Sequence, residues 1–68
     1  MSIKGTIIGL DISIDGTVVH VGSGSYLTKL PVVIDNAYRN IGNEVEITLT
    51  GYYKDGNQYI KTMYAMSS

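Results

Sequence analysis

The stretch EVEITLTGYYKDGNQYIKTMYAM, residues 44–66, decides the fold of this chain. Apolar and polar residues alternate on both sides of Asp55-Gly56, and a period of two is typical of β-strands that bury one face. An Asp-Gly pair between two such arms is a strong signal for a hairpin with a two-residue type I′ turn. The sequence therefore predicts a C-terminal β-hairpin centred on Asp55-Gly56.

The predicted turn also determines which residues of the two arms pair. With Asp55-Gly56 as the loop, Lys54 lies opposite Asn57 and Leu49 lies opposite Thr62. Sliding one arm by a single residue would move Lys61 onto the apolar face, where burial of an unpaired ammonium is strongly unfavourable. The favoured register places on the inner face Val45, Ile47, Leu49, Ile60, Thr62, Tyr64 and Met66, and on the outer face Glu46, Thr48, Thr50, Tyr52, Tyr59, Lys61, Met63 and Ala65.

A second Asp-Gly pair, Asp15-Gly16, lies between alternating arms in the first third of the chain. Two hairpins with the same binary pattern are unlikely to arise by chance, which favours an all-β fold. In this hairpin Asp11 is expected beside His20 on the outer face. The predicted inward residues of the hairpin are Ile8, Leu10, Ile12, Val19 and Val21.

Length and composition limit the classes of protein to which this chain can belong. At 68 residues the chain is predicted to be a single domain, residues 1–68, near the lower size limit for independent folding. It has no cysteine, so neither a disulfide nor a zinc-binding thiolate is available. The first residues lack the apolar core of a signal peptide, and no apolar run approaches the roughly 20 residues that span a bilayer. We therefore expect a cytoplasmic protein without a membrane partner, and the small size suggests that a virus or plasmid encodes it.

The remaining elements complete a small barrel. Strand 1 is predicted from Ile3 to Ile14, with a bend at Gly5 and Gly9, and strand 2 from about Thr17 to Val21. Strand 3 is predicted over residues 26–34, where Pro31 requires an edge or a break. Residues 35–42 have room for a short helical turn. The predicted fold is an all-β, five-stranded OB-like barrel with that turn between strands 3 and 4, and an SH3-like barrel is the alternative.

Three segments resemble landmarks of a known family. They are Gly5-Thr6-Ile7-Ile8, Gly16-Thr17-Val18-Val19-His20-Val21 and Ile41-Gly42-Asn43-Glu44-Val45-Glu46-Ile47. They are similar to OB-fold proteins related to bacterial translation initiation factor one, in which Gly-x-Val opens strand 1 and Gly-Asp-x-Val enters strand 4. The resemblance implies an OB fold. Members of that family that bind RNA are rich in Lys and Arg, whereas this chain has five such residues.

No pattern in the sequence indicates catalysis. The single histidine, His20, pairs with Asp11 across two strands, but its expected neighbours provide no nucleophile, and a surface ion pair is the better interpretation. One histidine and scattered carboxylates form no ligand-spaced metal cluster. We therefore predict a protein that is not an enzyme, with no catalytic residues, metal site, cofactor or small-molecule substrate.

Tyrosine and lysine indicate a binding surface instead. The chain has six tyrosines and no phenylalanine or tryptophan, and single-strand binders combine aromatic platforms with positive charge. The sequence predicts a site for single-stranded nucleic acid centred on Tyr52, Tyr59 and Lys61. Tyr53 and Lys54 are expected at the hairpin tip, Tyr38 and Arg39 at the rim, and Tyr26 and Lys29 are further candidates. With a net charge of −1, binding should be modest.

The alternative function is protein association through the same face. Tyr52, Tyr59 and Met63 have the composition of an interface core. A domain this small without disulfides also gains stability from oligomerising, and Pro31 was expected to mark an edge in strand 3. These features predict a homo-oligomer, either beside nucleic-acid binding or in its place.

Overall fold

Five strands close into a barrel in the computed structural model, which describes residues 2–52, 56 and 58–66. The elements are β1 (Ser2–Ser13), β2 (Gly16–Val21), β3 (Gly24–Thr28), α1 (Pro31–Arg39), β4 (Glu44–Tyr52) and β5 (Gln58–Ala65). The strands are hydrogen-bonded in the order β1-β2-β3-β5-β4, and β1 closes the barrel by pairing with β4. This architecture, with one short helix between β3 and β4, confirms the predicted OB-like barrel.

Strand β1 serves two neighbours because it bends in the middle. Its first half pairs with β4 and its second half with β2. Between them Ile8 is an extra residue, since Ile7 lies opposite Val21 but Gly9 lies opposite His20. This bulge lies at the bend that Gly5 and Gly9 predicted. It also reverses the expected facing, because Ile7 is fully buried while Ile8, predicted inward, is 66% exposed.

The first turn lies one residue earlier than predicted. Ser13 pairs with Gly16, so the two-residue loop is Ile14-Asp15 and not Asp15-Gly16. Ile14 and Asp15 both have negative φ, which excludes a type I′ turn, and the positive φ of +135° falls on Gly16 after the turn. Ser13 Oγ supports the loop, accepting from the Asp15 amide (3.3 Å) and donating to the Gly16 carbonyl (2.8 Å).

The shifted turn changes the pairing along the hairpin. Leu10 lies opposite Val19 and is half-buried against the core, as its inward assignment predicted. Ile12 lies opposite the buried Thr17, yet it is 70% exposed, and its prediction as a core residue is wrong. Its position near the free end of the hairpin accounts for this exposure.

The C-terminal hairpin also departs from regular pairing, with register shifts on both sides of Leu49. Thr48 lies opposite Thr62 and Leu49 opposite Ile60, which leaves Lys61 as the extra residue. Met63 is consequently buried and Tyr64 is 61% exposed, the reverse of the prediction, and Met66 is exposed as well. The predicted register is therefore wrong, since Thr48 and not Leu49 lies opposite Thr62, and the bulge keeps Lys61 exposed between the buried Ile60 and Met63. The predicted Asp55-Gly56 loop lies outside the described residues apart from Gly56, which has a φ of +83°.

The helix begins earlier than predicted and replaces the second half of strand 3. Pro31 occupies the first helical turn, where its missing N–H is not needed. The Leu30 carbonyl accepts from the amides of Val33 and Ile34, each at 3.0 Å. The predicted strand over residues 26–34 is therefore wrong beyond Thr28, whereas the predicted break at Pro31 is present, because the proline starts a helix there. In the described part of the chain, no helix has the length and apolarity to cross a membrane.

The helix seals the barrel against β5. Val33 and Ala37, one turn apart, are buried in the core. The Asn36 side-chain amide donates to the Met63 carbonyl at 2.9 Å, and the Asn40 amide donates in turn to Asn36 Oδ1 at 2.8 Å. These contacts attach α1 to the barrel by both apolar burial and hydrogen bonding.

The core is aliphatic and continuous. Its buried members are Ile7, Val19, Val21, Val33, Ala37, Val45, Ile47, Leu49, Ile60 and Met63. The inward predictions for Val19, Val21, Val45, Ile47, Leu49 and Ile60 are thus confirmed. Two threonines, Thr17 and Thr28, are also buried, and no buried side-chain oxygen or nitrogen in the described residues lacks a hydrogen-bond partner.

The bulge in β1 predicts a sharp contrast between two adjacent isoleucines. Ile7→Val should lower the free energy of unfolding by about 0.5–1.5 kcal/mol, because it removes a buried methylene. Ile8→Val should change it by less than about 0.5 kcal/mol, because that side chain is in water. Urea denaturation followed by circular dichroism measures both, and a larger loss for Ile8→Val would show that the bulge is misplaced.

Candidate functional site

An open groove of about 410 Å³ lies where β3, α1, β4 and β5 meet. We call it the Tyr59 groove, and its lining residues are Lys29, Leu30, Thr50, Tyr59, Ile60 and Lys61. Its volume lies within the range of small-molecule and cofactor sites in proteins. The groove therefore has the size of a binding site and combines apolar, hydroxyl, aromatic and ammonium groups.

Two chain segments form the opposite walls of the Tyr59 groove. Lys29 and Leu30 follow the end of β3 and lead into α1, whereas Tyr59, Ile60 and Lys61 are consecutive in β5. A parallel bridge between Leu27 and Tyr59 joins the two segments. The pairing of β3 with β5 therefore holds the two walls of the groove together.

The bulge in β5 affects which side chains of the second wall are buried and which are exposed. Ile60 is 2% exposed and forms part of the floor, while Tyr59 is half-buried and Lys61 is exposed. Bulges often occur next to functional sites, where they redirect side chains. Thr50 Oγ1 lies 3.3 Å from the Tyr59 carbonyl as a hydrogen-bond donor and links the floor of the groove to β4.

A lysine lies over the aromatic ring of the groove. Lys29 Nζ is 5.9 Å from the centroid of the Tyr59 ring, within the distance at which a cation is attracted to the face of an aromatic ring. Lys61 is two residues along β5 from Tyr59. The groove therefore combines the Tyr59 ring with lysines from both of its walls.

The Tyr59 groove is positive although the chain is slightly acidic. Among the described residues, its lining includes two lysines and no carboxylate. Two of the described carboxylates form ion pairs elsewhere: Asp35 with Arg39 at 3.1 Å and Asp11 with His20 at 2.7 Å. The charge around the groove therefore favours an anionic ligand despite the net charge of −1.

The structure brings together part of the predicted site. Tyr59 and Lys61 share the groove with Lys29, whereas the predicted interface residue Met63 is buried. Tyr52 lies opposite Gln58 in the backbone pairing, and its side chain lies outside the described part. The predictions for Tyr53 and Lys54 also fall outside the described residues.

The predicted rim residues belong to α1. Tyr38 is 67% exposed, and the Arg39 guanidinium is paired with Asp35 one turn earlier. Neither of them lines the Tyr59 groove. Leu30 and Thr50 line it and were not predicted. Reading Pro31 as the first residue of a helix would have identified Leu30, since it places the preceding residue at the junction with β3.

A second cleft, of about 360 Å³, lies beside the first hairpin, and we call it the hairpin cleft. Its lining includes Ile12, Ile14, Asp15 and Lys29, together with Ile34 of α1. Ile14 is fully exposed at the tip of the hairpin. Lys29 lines both the hairpin cleft and the Tyr59 groove, so the two are adjacent on one side of the barrel.

A hydrogen-bonded chain crosses three strands on another part of the surface. His20 Nε2 lies 2.7 Å from Asp11 Oδ2, and His20 Nδ1 lies 2.9 Å from Ser25 Oγ. The predicted Asp11–His20 pair is therefore present, and Ser25 adds a partner that was not predicted because strand 3 was expected to start after it. These three residues line neither of the two clefts, and their arrangement cross-links β1, β2 and β3.

The described residues contain no group of three or more histidine, cysteine, aspartate or glutamate side chains placed to hold a metal ion. No family model, curated protein or solved structure matches the chain.

The contact between Lys29 and Tyr59 predicts a measurable coupling. A double-mutant cycle with Lys29→Met and Tyr59→Leu should give a coupling free energy of about 0.5–1 kcal/mol, as expected for an ammonium over an aromatic ring near the protein surface. Urea unfolding of the four proteins supplies the values. Strictly additive effects would contradict the contact, and the parallel cycle with Lys4→Met and Tyr59→Leu should be additive.

Proposed function

We propose that this chain is a non-catalytic protein that binds single-stranded nucleic acid through the Tyr59 groove. The observation that carries the proposal is that the Tyr59 ring, with Lys29 Nζ over it, shares with Lys61 a groove whose described lining includes no carboxylate. A ring can stack with any base, and ammonium groups on both sides can contact the phosphates that flank it. The apolar floor at Leu30 and Ile60 is suited to the edge of the base or the sugar.

The fold supports the same proposal. OB barrels commonly bind oligonucleotides, and their ligands lie near the loops that join strands 1 to 2 and strands 4 to 5. The Tyr59 groove lies on β5 close to its start, and the hairpin cleft beside it lies at the loop between β1 and β2. The resemblance to proteins related to bacterial translation initiation factor one concerns the fold more than the function, because this chain lacks the Lys and Arg content of the members that bind RNA, and the lysines available limit the affinity.

The predicted residues outside the groove extend the proposal. Tyr52, Tyr53 and Lys54 were predicted to bind with Tyr59 as parts of one hairpin, and we propose them as further contacts for a longer nucleic acid. Tyr38 and Arg39 would contact the ligand only if it continued along α1. An oligonucleotide of a few nucleotides would therefore bind in the Tyr59 groove. Contacts outside the groove would depend on the direction in which a longer nucleic acid leaves it.

Tyrosine substitution tests whether bases stack in the groove. Tyr59→Ala should weaken binding of an oligothymidylate or oligouridylate of about 12 nucleotides by roughly 1–3 kcal/mol, because one stacking platform is removed. Tyr64→Ala is the matched control, since Tyr64 is exposed on the same strand but does not line the groove. Fluorescence anisotropy with labelled DNA and RNA measures both. Absence of binding by the unmodified protein at low salt would refute the proposal.

Lysine substitution tests the phosphate contacts. The logarithm of the binding constant should fall with the logarithm of salt concentration, with a slope of about −0.7 for each phosphate contacted in a single strand. Lys61→Ala should make that slope shallower by about 0.7, whereas Lys4→Ala, which removes the same charge from β1, should leave it unchanged. Equal effects of both variants would show that binding follows net charge and not the groove.

A further inference from the structure

The tip of the first hairpin carries an apolar side chain that the turn does not require. Ile14 is fully exposed in the two-residue loop, a position where small and polar residues predominate. The positive φ of this turn is on Gly16, so backbone geometry does not explain the choice of Ile14. Ile14 is not isolated, because the exposed Ile12 lines the hairpin cleft with it, and contiguous exposed apolar side chains mark interaction sites.

The hairpin tip and the Tyr59 groove are chemically complementary. The tip presents an apolar side chain, Ile14, next to a carboxylate, Asp15. The groove presents an apolar floor between two ammonium groups, Lys29 and Lys61. Asp15 takes part in neither of the two ion pairs in the described residues, so its charge is available to an opposite charge on a partner.

The tip and the groove are also adjacent. Lys29 lines both the Tyr59 groove and the hairpin cleft that contains Ile14 and Asp15. In a twofold dimer the same surface patch of each copy forms the interface. That patch must therefore contain both the hairpin tip and the groove that receives the tip of the other copy. The surface around Lys29 meets this requirement.

We propose that two copies of this chain associate about a twofold axis near Lys29. Each copy inserts Ile14 into the Tyr59 groove of the other, and Asp15 of each copy faces Lys61 of the other. An interface of standard size takes about 800 Å² from each partner, roughly a fifth of the 4399 Å² surface of this chain. Ile12 and Leu30, both exposed beside the tip and the groove, add apolar area to the contact. This dimer does not depend on nucleic-acid binding, but it uses the same groove.

Charge reversal in two separate variants tests the interface. Asp15→Lys alone and Lys61→Asp alone should each raise the dimer dissociation constant by at least about tenfold, because each places like charges at both contacts. An equimolar mixture of the two variants should dimerise again, because both contacts of the mixed dimer then join opposite charges. Sedimentation velocity on nucleic-acid-free protein, at concentrations up to about 1 mM, measures all three.

Matched controls separate this contact from general charge effects. Lys4→Asp alone should dimerise like the wild type, because Lys4 does not line either cleft, and adding it to Asp15→Lys should not draw the Asp15→Lys protein into dimers. Ile14→Ser should weaken the wild-type dimer by at least about tenfold, while Ile8→Ser, at an isoleucine exposed elsewhere, should not. Circular dichroism shows whether each variant is folded. If a charge-reversed variant is unfolded, Ile14→Ser still tests whether the hairpin tip forms the dimer contact.

Three results would overturn the proposal. They are a wild-type monomer throughout the concentration series, a dimer unaffected by Ile14→Ser, and two charge-reversed variants that fail to dimerise when mixed. If Ile14→Ser instead leaves a dimer intact and weakens only oligonucleotide binding, the hairpin tip contacts nucleic acid and not a second copy.

Discussion

The ammonium of Lys61 has to remain in water while Ile60 before it and Met63 after it are buried, and the C-terminal half of the barrel depends on this constraint. Regular alternation cannot bury residues three apart, because successive side chains point to opposite faces. The bulge at Lys61 resolves the conflict by giving β5 one more residue than β4 at this point. It also allows two apolar side chains to fill the core on either side of a charged one. The walls of the Tyr59 groove follow from the same local geometry.

The alternation of Val45, Ile47 and Leu49 was sufficient to predict β4 and its inward face, because that strand has no bulge within those residues. The partner strand was predicted less well. The argument that Lys61 cannot be buried was correct, but it was applied to an unbroken ladder, and so Met63 and Tyr64 were assigned to the wrong faces. The same limit applies to Ile7 and Ile8 in β1. A bulge changes register by one residue, and binary pattern alone does not locate it when isoleucines are adjacent.

The candidate site was predictable only in part for a related reason. Tyr59 and Lys61 were identified because aromatic and basic residues share an outer strand face. Lys29 and Leu30 come from the junction of β3 and α1, which was predicted as continuous strand because the run Val32, Val33, Ile34 favours strands. Tertiary burial of Val33 and Ala37 outweighed that local preference. Contacts between distant segments, such as Lys29 with Tyr59, depend on how the barrel closes and are not encoded in the local pattern.

The single parallel bridge between Leu27 and Tyr59 has a consequence for the motion of the barrel. It joins β3 to β5 with far less pairing than connects the other neighbouring strands in the described residues. Regions with few ordered contacts open at lower free energy than the rest of a domain, and amide hydrogen exchange detects that opening. The Tyr59 groove lies across this seam, with Lys29 on one side and Lys61 on the other. A molecule that contacts both lysines would therefore stabilise the pairing of β3 with β5. Its binding free energy would be coupled to the free energy of opening between these two strands.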